Sequence, residues 1–163
     1  MLNKKNMLIV LFAFMLGLII NDAYSELSSL ERPLSLFPSG LEKDSPGDWI
    51  KENQIKVYDN KVIIELKDAE WASFTDTNSM DPVLDETANA IEIIPKSTDD
   101  IHVGDIISYN SGYADGTIIH RVIKIDKDNK GWYCIVKGDN NQSPDPGKIR
   151  FNQIKRVLVA IIY

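Results

Sequence analysis

The chain has 163 residues and a formal net charge of −6, from 18 Lys and Arg against 24 Asp and Glu. That length allows one domain of ordinary size with an appendage, and the mixed, acidic charge excludes nucleic acid as a partner, because phosphate binding needs clustered cations. One cysteine, Cys134, excludes an internal disulfide and a cysteine-rich metal site, and two histidines without an HExxH spacing give no grounds for a metal or any other cofactor.

The first segment, "MLNKKNMLIVLFAFMLGLIINDAYSE", places Lys4 and Lys5 before an apolar run from Met7 to Ile20. Its charged start, apolar stretch and small residues Ala23 and Ser25 suit a cleaved signal peptide. As a membrane anchor it is short of the usual span of about 20 apolar residues, although Tyr24 could sit at headgroup depth. In either case residues 1–24 form one hydrophobic helix with a cytoplasmic start, and the remainder is exported. Residues 25–48 are rich in Ser, Pro and Gly and predict a tether. Within it Ser45 and Pro46 are a cap and first turn for one short helix.

From residue 49 the period changes to that of strands. "QIKVY" and "KVIIEL" flank Asp59-Asn60, a hairpin turn. "EWASF", "NAIEIIP", "DIISY", "GTIIHRVIKID", "WYCIVKG" and "QIKRVLVAIIY" follow, separated by turn residues at spacings of about ten. The pattern predicts a mainly β, antiparallel domain over residues 49–163, built as a barrel or as folded sheets. The terminal "VLVAII" is too short to span a membrane and reads as a buried strand.

Three polar groups stand out from this framework. Ser79 lies in "DTNSMDPVL", among turn formers just after a strand. A serine hydroxyl is a weak nucleophile without a neighbouring base. His120 shares a strand face with Ile118 and Val122, where a satisfied core histidine is the simpler reading. Asp139 and Asp145 lie in "KGDNNQSPDPG", a string that also reads as an Asx-rich turn. Together these residues supply a nucleophile, a base and an orienting carboxylate, a set recognised by roles rather than by order.

The same stretches resemble those of the type I signal peptidases. "TNSMDPVL" is similar to their serine box, "VGDIISY" to their Gly-Asp strand box, "GTIIHRVIKI" to the box carrying the base, and "VKGDNN" followed by Asp145 to the final acidic box. The four occur in the family's order across residues 71–163. Histidine in place of lysine as the base resembles the archaeal and endoplasmic-reticulum branch, and so do the paired aspartates. The resemblance implies a membrane-bound serine endopeptidase with Ser79 as nucleophile, His120 as general base and Asp139 or Asp145 orienting it. It also implies Thr77 as an oxyanion donor beside the Ser79 backbone N–H. Its substrates would be signal peptides of secretory precursors, cut after small residues, with membrane lipid and translocation machinery or complex subunits as further partners. The chain departs from the family at Val83, where a threonine is common, in its short anchor, and in a tether and a "QIKVYDNKVIIEL" hairpin without counterpart. Two other readings remain: an idle, membrane-tethered peptide-binding module, and a processing peptidase with a narrow client set.

Overall fold

A computed structural model of the protein describes residues 42–163, together with Asn3, Asn6, Met7, Phe12, Phe14, Met15 and Leu16. Apart from those seven, residues 1–41, where the anchor or signal peptide and most of the tether are expected, lie outside the described residues. Among the described residues no helix is long and apolar enough to cross a membrane.

Every strand expected from the alternation is present. β1 (Ile55–Tyr58) and β2 (Lys61–Ile64) pair as an antiparallel hairpin across Asp59-Asn60. The remaining strands are β3 (Glu70–Ser73), β4 (Asn89–Ile93), β5 (Ile106–Asn110), β6 (Thr117–Asp128), β7 (Gly131–Lys137) and β8 (Ile154–Ile162). They form one six-stranded sheet in the order β3-β4-β8-β5-β6-β7, with every pairing antiparallel. The sheet is open: β3 and β7 are its edges, so the domain is mainly β and antiparallel but not a closed barrel.

The central strands are apolar on both faces because both faces are covered. On β5, Ile107 and Tyr109 join a cluster with Val122, Cys134, Val136, Ile149 and Val157. Ile106 joins the opposite cluster with Met80, Leu84, Ala88, Ala90 and Leu158. β8 divides in the same way at Val157 and Leu158, which explains why "VLVAII" reads as a continuous apolar run. Cys134 is fully buried beside Val136 and packs as an apolar residue.

The helix expected to start at Ser45 does not form. The helical turn here is a 3₁₀ turn at Glu52–Gln54, and residues 42–49 have no regular structure. The cause is a competing acceptor. The fully buried Asp105 takes hydrogen bonds from Gly47 N at 2.8 Å, Trp49 Nε1 at 3.0 Å and His102 N at 2.8 Å. This chain segment is therefore fastened to the start of β5 rather than coiled on itself. A Cβ on Gly104 would come within 2.4 Å of the Ser45 backbone, so the approach also requires glycine there, where φ is +102.

Asp105→Ala would leave three donors without their acceptor. The expected result is a loss of about 3 kcal/mol of unfolding free energy, read from urea denaturation, with Asp105→Asn recovering only part of it.

Candidate active site

The segment after β3 presents Ser79 by fixing the residues on either side of it. Met80 and Leu84 are buried, and Val83 N and Leu84 N both donate to Met80 O, at 2.9 and 3.1 Å. The Asp81-Pro82 peptide is cis. Asn78 adopts φ +55, a left-handed conformation that asparagine tolerates better than most residues, and its amide donates to Asp76 Oδ1 at 3.1 Å.

The loop that follows β7 holds this segment from the other side. Asn140 N donates to Ser79 O at 3.0 Å, and Asn140 Nδ2 donates to Asn78 O at 2.9 Å. A Cβ on Gly138 would lie 2.5 Å from Ser79 O, so the loop approaches closely enough to require glycine. Asp139 is held by Arg121, whose Nε and Nη2 reach its two oxygens at 2.8 and 2.6 Å. The third branch of that guanidinium donates to Gly104 O at 2.7 Å. Such a forked pair fixes orientation as well as charge.

The structure therefore separates the two aspartates. Asp139 faces Arg121 and not His120. Asp145 is the carboxylate on the histidine, with its Oδ2 2.7 Å from His120 Nδ1. Tyr109, fully buried on β5, donates its hydroxyl to the same oxygen. A carboxylate can only accept, so the His120 proton sits on Nδ1 and the basic lone pair on Nε2. Asp105, in the Gly-Asp stretch, has a structural role, binding two backbone N–H groups and Trp49, while Arg121 pairs with Asp139. His102 is exposed, as a turn residue.

Ser79 and His120 line one cavity of about 460 Å³, which Thr77, Phe74, Leu84 and Ile119 also line. Thr77 Oγ1 lies 3.1 Å from Ser79 Oγ. Among the described residues no hydrogen bond joins Ser79 directly to His120. Among them, too, no three His, Cys, Asp or Glu side chains converge to hold a metal ion.

Sequence reasoning missed Tyr109, although a signal was present. A tyrosine on the buried face of an apolar strand must place its hydroxyl on some partner. It also missed Arg121 and Asn140 as the groups that fasten the loop. Compared with known proteins, the chain matches no family model, no curated protein and no solved structure.

The phenol of Tyr109 is held well above its ordinary value of 10.0, first by burial, then by the hydrogen bond to Asp145 and that residue's charge. Burial likewise pushes the Cys134 thiol from 9.0 up to about 12. Both groups are neutral in the fold and ionise more easily in the unfolded chain. Their contribution is complete below the unfolded values and is lost as pH rises toward the folded ones. Stability is expected to fall from about pH 9 to 10 upward, by at most about 1.4 kcal/mol per pH unit for each group. Tyr109→Phe and Cys134→Ala should each flatten that fall in urea unfolding measured from pH 8 to 11.

Proposed function

We propose that this chain is a membrane-associated serine endopeptidase that removes signal peptides from exported precursors. The observation that carries the reading is the His120–Asp145 pair at 2.7 Å, placed beside the cavity that the Ser79 hydroxyl lines. Tyr109 and Asp145 hold the imidazole with Nε2 free to accept a proton. In the reaction His120 Nε2 takes the proton of Ser79 Oγ as that oxygen attacks the peptide carbonyl. The Ser79 backbone N–H and the Thr77 hydroxyl receive the developing oxyanion. The imidazolium, stabilised by Asp145, gives its proton to the departing amine. Water then takes the serine's place as nucleophile and releases the acyl group through the same base.

The polypeptide substrate follows from the sheet. β3 is an edge strand that runs directly into the Ser79 segment, and its residues Ala72 and Ser73 line the cavity. An extended peptide can pair with such an edge through its backbone and place alternate side chains in pockets. Cleavage of signal peptides after small residues, and work at the exported face of a membrane beside translocation machinery, are supported by the resemblance of the four stretches. The apolar run Met7–Ile20 behind two lysines gives further support.

The test is cleavage of a fluorogenic signal-peptide substrate by the full chain in liposomes. Ser79→Ala and His120→Ala are expected to reduce turnover to background. Asp145→Asn should lower kcat by at least about 100-fold, because the wrong tautomer is favoured. Thr77→Val should lower kcat by roughly 100-fold, because one oxyanion donor is lost, with little change in KM. Undiminished cleavage by Ser79→Ala overturns the reading. Binding of precursors without cleavage by the wild type replaces it with a peptide-binding module.

A further inference from the structure

Two buried polar groups in the cavity have no part in that reaction. Glu92 on β4 and Ser108 on β5 line it together with Ser79 and His120. Glu92 is 6% exposed and Ser108 is 5% exposed, and the Ser108 hydroxyl is near enough to favour the ionised form of Glu92. Their surroundings are otherwise apolar: Ala88 and Ala90 alternate with Glu92 along the same face, and Met80, Leu84, Ile106 and Leu158 pack there. A buried carboxyl is costly unless it is paired, and Glu92 has no ion pair among the described residues. The nearby Arg156 is instead salt-bridged to Glu70, the cross-strand neighbour of Glu92. Burial, followed by the repulsion of Glu70, raises the Glu92 carboxyl above its ordinary value, while Ser108 and Arg156 oppose the rise. Its two oxygens offer about four lone-pair positions, of which the single Ser108 hydroxyl can fill at most one.

We infer that Glu92 and Ser108 form a polar floor that selects peptides carrying a serine or threonine at the position whose side chain enters this cavity. The inference rests on the peptidase reading and names a substrate class within it. A hydroxyl both donates and accepts, so it pairs with Glu92 whether the carboxyl is ionised or protonated. The walls formed by Phe74, Leu84 and Ile119 suit a short side chain with one polar end. Alanine or valine would fill the space but leave the buried carboxyl under-satisfied, which is the stronger basis of discrimination.

The experiment uses full-length protein in liposomes with peptide pairs, Ser against Ala and Thr against Val, at each of the three positions preceding the cut. At one position the wild type should prefer the hydroxyl member by roughly tenfold in kcat/KM. Glu92→Gln should keep most of that preference, and Glu92→Leu should abolish or invert it. Ser108→Ala should weaken it and reads the same floor if Glu92→Leu does not fold. Each ratio is taken on one preparation, so the amount of active protein cancels. Equal ratios for wild type and Glu92→Leu at all three positions, or no hydroxyl preference in the wild type, overturn the inference and leave the peptidase reading standing. A wild type that cuts no peptide, or cleavage that survives Ser79→Ala, overturns both.

Discussion

Asp145 joins three neighbouring strands, two of them at one carboxylate oxygen and the third through its backbone N–H. Tyr109 reaches it from β5 and His120 from β6, while Asp145 N donates to Val136 O on β7 at 2.9 Å. A nearly buried carboxylate survives only if its donors come to it. Its satisfaction therefore sets the register of the β7 return loop against the sheet. The pair of hydrogen bonds between Cys134 and Ile149, both 2.9 Å, closes that loop behind it. The side chain that most constrains the fold here is also the one that sets the histidine tautomer.

The same loop ties the histidine to the serine. Within eight residues it supplies Gly138 and Asn140 to the Ser79 segment, Asp139 to Arg121 and Asp145 to His120. Residues far apart in sequence thus share one rigid reference, although no side-chain bond links them directly. Arg121 extends the connection through Gly104 O toward Asp105, where the segment around Gly47 is fastened. Movement of any of these parts alone would break a charge-assisted hydrogen bond or expose a buried donor, so the arrangement favours a preformed site.

The strands were legible because strand alternation and turn chemistry are local. Asp59-Asn60 and the period-two apolar runs name the hairpin and the edges without reference to the rest of the chain. The candidate serine, histidine and aspartates were legible as residue types in suggestive places. Which aspartate meets His120 was not, because the choice depends on Arg121 capturing Asp139, a contact spanning 18 residues. The failed helix at Ser45 has the same origin. Its local capping signal is outweighed by an acceptor 58 residues away, which claims the Gly47 N–H. Barrel closure was equally beyond local pattern, since it depends on whether β3 and β7 meet, and they do not. Long-range partners of polar groups are where sequence periodicity carries least information.

Three acidic side chains in the domain interior show how the number and kind of donors separate roles. Asp105 has three N–H donors and is complete, so it acts as a fastening. Asp145 shares one oxygen between a phenol that keeps its proton and an imidazole, so it orients both side chains. Glu92 has one nearby hydroxyl and, among the described residues, no ion pair, although Val or Ile would fill its place at lower cost. Its three donors account for the first carboxylate, and the proposed reaction gives the second a role. The third lies in the same cavity as Ser79 with hydrogen-bonding capacity to spare, and a ligand entering the cavity is the partner our inference assigns to it.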